Sequence, residues 1–199
     1  MGFMDSSVTV RLADPSRDAE AVAAIYLPSV ETGLASFEEA APSAVEMGER
    51  IRATLARMPW LVAEVDDAVV GYAYAGPHHA RAGYRWSVNI SVYVLGGFSG
   101  HGIGRRLYDE LLALLRRQGF VNAYAGITLP NPASVALHER IGMRRIGVYE
   151  RVGFKHGAWR DVAWYGLRLA DPLGRPVEPI ALAELLGGPL AAELQPPEA

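Results

Sequence analysis

The chain has 199 residues, half of them apolar, a formal net charge of −3 with acidic and basic residues interspersed, and no cysteine. That length suits one domain with a sizeable core, and the mixed charge excludes the clustered basic face of a nucleic-acid binder. Disulfides, thiolate metal sites and cysteine nucleophiles are excluded too, and no apolar run approaches the roughly 18 residues of a membrane span. The expectation is a cytoplasmic protein with neither membrane nor nucleic acid as partner.

Residues 1–7 read as a disordered or expression-derived N-terminus, 8–170 as the domain and 171–199 as a tail rich in proline, alanine and leucine. Within the domain, Val8 to Leu12 alternates as an edge strand, and Asp14 with Pro15 opens a helix that Pro28 ends. Ser29 to Pro42 has no period and reads as a working loop; Ser43 then caps a helix that Met58 and Pro59 terminate. Two apolar runs flank Asp66 and Asp67 and predict a hairpin. Gly76 to Arg81 is the next loop, and Trp86 to Val94 a strand long enough to splay or bulge. After it come a helix stopped by Gly119, a strand from Asn122 to Ile127 and a short helix opened by Pro132. Arg145 to Tyr149 and Asp161 to Leu169 are strands separated by Gly153 to Gly157, and the tail holds one short helix near Ile180 to Leu186. The order predicts an α+β fold. Tyr72, Tyr74, Trp86, Trp164 and Tyr165 are expected to pack in the core.

The most informative stretch runs from Val92-Tyr93-Val94 through Gly100-His101-Gly102-Ile103-Gly104-Arg105 into the helix of Leu107, Tyr108, Leu111 and Leu112. Glycines let several backbone N–H groups converge on one anion, and a helix start adds its own free N–H groups. Gly104-Arg105-Arg106 is not the Gly-Lys-Ser/Thr of a P-loop. The Gly-x-Gly-x-Gly spacing, with no carboxylate from Val121 to Ile127, is not a dinucleotide fingerprint either. Coenzyme A is the remaining phosphate ligand, against the plainer reading of a surface turn without ligand.

Strand, glycine turn and helix resemble the GNAT N-acetyltransferases, whose signature is Gln/Arg-x-x-Gly-x-Gly/Ala. Further motifs resemble the phosphinothricin and methionine sulfoximine branch: Pro59 to Val65, Ala73 to Pro77, Ser91 to Val94, Asn131 to Glu139 and Gly153 to Asp161. The resemblance covers about Val8 to Leu169 and implies a mixed, mostly antiparallel sheet, splayed at the coenzyme site and flanked by helices. It implies acetyl-CoA as co-substrate, a small amino-acid-like amine as acceptor, and a homodimer. Val92, Tyr93, Val94, Gly100 to Arg105, Asn131 and Ser134 would hold the coenzyme. Glu31, Phe37, His78, His79, Asn89, Ile90 and Ser91 would meet the acceptor.

Two positions depart from the branch. Ser99 stands where the signature has Gln or Arg, which implies weaker coenzyme binding, and Asn89 stands where the branch carries a glutamate taken as general base. An amide cannot accept the ammonium proton, though it can position an amine or water. His138 is the first replacement and Glu31 the second. A catalytically weak acyl-CoA-binding module is the alternative that Asn89 raises. The adjacent His78 and His79 lack a neighbouring carboxylate at ligand spacing, so no metal is expected.

Overall fold

Asp66 and Asp67 both take positive φ, 49° and 61°, and form the two-residue turn between strands β2 (Trp60–Val65) and β3 (Ala68–Pro77). The structure is a computed structural model that describes residues 8–171, 174 and 176–187, so the N-terminal segment 1–7 and the tail beyond 187, both expected from sequence, fall outside the described residues. Around that hairpin stand β1 (Thr9–Leu12), β4 (Ser87–Val94), β5 (Asn122–Thr128), β6 (Arg144–Lys155) and β7 (Ala158–Arg168). The sheet order is β1-β2-β3-β4-β5-β7-β6, antiparallel except for β4 with β5.

Helices α1 (Ala19–Glu31) and α2 (Ala44–Leu55) pack on one face of the sheet, where Val22, Ile25, Tyr26, Met47 and Ile51 meet Trp60, Val62 and Tyr72. On the other face α3 (Ile103–Arg117) buries Leu107, Tyr108, Leu111, Leu112, Leu114 and Leu115 against Ala73, Ala75, Val88 and Ile90. Each such side chain stabilises the packed state by about 1.5–3 kcal/mol, so the start of α3 is held firmly in place. Helix α4 (Pro132–Arg140) follows β5, with Asn131 accepting the Ser134 N–H as its cap. In α2, Ser43 and Glu46 exchange hydrogen bonds in a capping box.

Several boundaries differ from those the sequence predicts. Asp14 does not open α1: its Oδ1 accepts from Ser16 and Arg17 N–H in a turn, and the helix begins at Ala19. Pro28 does not end it, because near the C-terminus it removes only its own N–H, while its carbonyl still accepts from Thr32 and Gly33. Gly153 to Lys155 belong to β6, and only His156 and Gly157, both at positive φ, make the turn to β7.

Part of the expected tail returns to the domain. The Gln118 side-chain amide donates to the carbonyls of Arg57 and Ile180, and Ile180 N–H donates back to the Gln118 carbonyl. A short helix, α5 (Leu182–Gly187), then buries Leu182 and Leu185.

Candidate active site

Strands β4 and β5 are in register only from Ser87↔Asn122 to Asn89↔Tyr124, and beyond that they part. Backbone direction alternates along β4. Ser87 carbonyl and Leu95 N–H bond to the β3 side, and Trp86 carbonyl bonds to the β5 side. Ile90, Val92 and Val94 therefore turn their backbone groups into the gap, while those of Asn89, Ser91 and Tyr93 serve the β3 ladder. The gap is a cavity of about 660 Å³ lined by β4 from Ile90, the glycine turn, the α3 start, the end of β5 and α4.

Gly100 and Gly102 have φ of 84° and 82°, a region that disfavours any residue with a Cβ, and Gly102 caps α3. The first intrahelical donor of α3 is Arg106 N–H, onto the Gly102 carbonyl. The N–H groups of Ile103, Gly104 and Arg105 thus have no acceptor within the helix and face the mouth of the cavity. A Cβ on Gly104 would stand 3.1 Å from Leu137, so the turn is glycine for packing as well as for backbone freedom. This end of the cavity is built to hold an anion, and the free β4 edge is built to pair with an amide-bearing chain.

Among the residues named from sequence, Ile90, Ser91, Val92, Tyr93, Val94, Gly100, Gly102, Ile103, Gly104, Arg105, Asn131, Ser134 and His138 all line this one cavity. His101 is exposed, with its ring nitrogen 3.1 Å from the Ser99 carbonyl. Glu31 is exposed at the end of α1. Phe37 lies over Gly153 so closely that a Cβ there would stand 2.3 Å from the ring. Lys155 anchors the same loop through the carbonyls of Ser29 and Ser36.

His138 is buried at 4 % exposure with both nitrogens engaged. Nδ1 lies 2.7 Å from the Ser134 carbonyl and must donate to it, so Nε2, 3.0 Å from the Tyr108 hydroxyl, accepts. Burial pushes the imidazole below its ordinary value despite the carbonyl, and burial pushes the Tyr108 phenol well up. The result is a neutral imidazole against a protonated phenol. Tyr108 escaped the sequence reading because its spacing marks it only as a core residue of α3.

The two adjacent histidines touch edge-on at 4.6 Å but have different surroundings. His78 Nδ1 is 2.9 Å from Asn89 Oδ1, and its ring packs on Tyr124, whereas His79 borders a second cavity of about 410 Å³ beside Arg81, Tyr84 and the returning segment at Ile180. Glu38, not selected for the site from sequence, accepts from Tyr26 and Arg50; the Arg50 bond outweighs burial and holds its carboxyl below the usual range. No group of three or more His, Asp or Glu side chains gathers in a metal-binding arrangement among the described residues.

A family model described as "Acetyltransferase (GNAT) domain" matches residues 12–164. The chain belongs to the GNAT acetyltransferase family. It is 39% identical over 164 residues to a phosphinothricin N-acetyltransferase of Streptomyces viridochromogenes, covering 82% of this chain and 90% of that protein. It is 34% identical over 168 residues to the L-methionine sulfoximine/L-methionine sulfone acetyltransferase of Salmonella typhimurium, covering 82% of this chain and 96% of the relative. Among solved structures, a GNAT superfamily phosphinothricin acetyltransferase from Sinorhizobium meliloti in complex with acetyl-CoA superposes with a TM-score of 0.82 at 35% identity. That match covers 87% of this chain and 95% of the other. The parted strands and the glycine-capped helix described above lie within residues 12–164, the span that the family model matches.

Proposed function

We propose that this GNAT acetyltransferase moves an acetyl group from acetyl-CoA to the α-amine of a small amino-acid-like acceptor of the phosphinothricin or methionine sulfoximine type. The observation that carries this reading is the parting of β4 from β5 after Asn89, which opens a free backbone edge beside an N–H-rich helix start. The diphosphate sits at Gly100 to Arg105, the amides of the pantetheine arm pair with Val92 and Val94, and Asn131 and Ser134 close the far wall. Ser99 offers only a short side chain here, so the diphosphate rests on backbone N–H groups.

The acceptor comes from the face of the sheet that carries α1 and α2. Asn89 and Ser91 alternate with Val88 and Ile90, which point into the α3 core, so their side chains face that way. Transfer requires an amine free of its proton, a polarised thioester carbonyl and a proton for the leaving sulfur. Tyr108 and His138 form the proton-bearing pair on the cavity wall, and the phenol stays protonated until the thiolate needs it. The alternative of a binding module without turnover has no support in relatives that are named acetyltransferases.

A homodimer is part of this reading, joined through the edge strand β6, where Ile146, Tyr149, Val152 and Phe154 are exposed beside Trp159 of β7. Sedimentation of the purified chain tests it. The transfer itself is tested by following thiol release with a panel of amino acids and analogues; no release above the blank with any of them overturns it.

A further inference from the structure

Asn89 is the last β4 residue paired with β5 before the strands part, and it precedes Ile90, the first β4 residue of the cavity wall. In the acetyl-transfer reading, the base that frees the acceptor amine acts at this apex. His138 is closed off by Ser134 and Tyr108, and Glu31 is exposed on the end of α1. Of the two histidines drawn to the acceptor from sequence, His78 is the one whose ring reaches Asn89, with Nδ1 2.9 Å from Asn89 Oδ1, whereas His79 borders the second cavity.

An amide oxygen can only accept, so this contact sets the tautomer: Nδ1 carries the proton and Nε2 carries the lone pair. The ring is held by packing as well. It lies 4.5 Å from the Tyr124 ring at an interplanar angle of 32°, edge-on to Trp164 at 6.3 Å, and against His79 and Tyr84 at 4.6 and 5.9 Å. Tyr124 is the register partner of Asn89, and His78 follows Pro77, the last residue of β3, so the ring sits at the end of the β3–β4 ladder beside the Asn89–Tyr124 pair. His79, Tyr84 and Tyr124 are the titratable groups that face the imidazole.

We propose that His78 is the general base of this enzyme, held in the Nδ1–H tautomer by Asn89 so that Nε2 takes the proton from the acceptor ammonium. Asn89 is then a positioning residue. Its amide oxygen holds the imidazole and transfers no proton of its own. The ammonium gives one proton to Nε2 and thence to water, and its lone pair forms the C–N bond as the C–S bond breaks. The sulfur takes its proton from the Tyr108 phenol, and the second amine proton, which leaves nitrogen as the amide forms, restores that phenol.

The inference rests on the acetyl-transfer reading above. Its test uses the full chain, acetyl-CoA and L-methionine sulfoximine or phosphinothricin as acceptor, with wild type measured first. H78Q is expected to lower kcat by about 100-fold or more and to remove the acid limb of the pH profile of kcat/KM, with the acetyl-CoA Kd from calorimetry unchanged. N89D is expected to move that limb upward by about one pH unit, because a carboxylate favours the imidazolium. An active wild type whose H78Q variant keeps its kcat and its limb overturns the base assignment alone. A limb that stays or moves down in N89D does the same, and decides the matter if H78Q fails to fold. A wild type inactive with every acceptor overturns both readings.

Discussion

The Tyr108 hydroxyl donates to Nε2 of His138 across the seam between α3 and α4, at 3.0 Å, and both side chains reach the wall of the same cavity. Because Ser134 occupies the other nitrogen, the imidazole cannot turn away, and the phenol is held in place on the cavity wall.

Tyr108→Phe tests that role. The change leaves Nε2 without its donor and removes the proton, so kcat is expected to fall by about 100-fold with the KM for acetyl-CoA little changed. Loss of the buried hydrogen bond should also lower stability by roughly 1–3 kcal/mol, read by thermal unfolding. Full kcat in a folded variant would remove Tyr108 from the proton path.

Gly102→Val tests the anion site. A β-branched residue at φ 82° costs about 1–2 kcal/mol in the left-handed region and crowds the N–H groups of the α3 start. Calorimetry should show acetyl-CoA binding weakened by about tenfold or more, which is about 1.4 kcal/mol or more of binding free energy. Unchanged affinity would mean that the diphosphate is held elsewhere.

Acid stability should depend on Asp18. The carboxylate is buried at 1 % exposure; burial alone would raise it, but Arg11 at 2.6 and 2.7 Å and the Asp14 N–H hold it below its ordinary value. A lowered folded-state value means that its contribution is complete above the unfolded value of about 3.9 and is lost as pH falls through the folded one. Unfolding titrations of wild type should therefore show stability falling steeply below about pH 4. Asp18→Asn should cost on the order of 3 kcal/mol at neutral pH and flatten that fall.

Gln118→Ala should loosen the returning C-terminal segment without touching the cavity. It removes two hydrogen bonds, to Arg57 and Ile180, and is expected to cost about 2 kcal/mol. Limited proteolysis should then cut ahead of α5 while kcat stays unchanged; equal resistance to protease would show that Leu182 and Leu185 hold the segment unaided.

Much of the frame was legible because its signals are local. Glycines at positive φ, the Ser43 and Glu46 capping box, the Asp66 and Asp67 turn and the apolar stripe of α3 each act within a few residues, and the coenzyme-side residues gather because they share one strand-turn-helix unit. One boundary failed at Gly153, where pairing with β7 and the Phe37 ring outweighed a local preference, and another at Pro28, whose missing N–H costs little so near a helix end.

The amino-acid order on its own determined the glycine-capped helix start, the strand leading into it and the family to which they belong. It could not decide which groups carry protons. Tyr108 meets His138 across 30 residues and His78 meets Asn89 across 11, and such pairs exist only once helices and strands have packed. The α3–α4 seam brought Tyr108 to Nε2 of His138, the turn beyond β3 brought His78 to Asn89, and packing of the chain, which no short-range pattern encodes, set both of those distances.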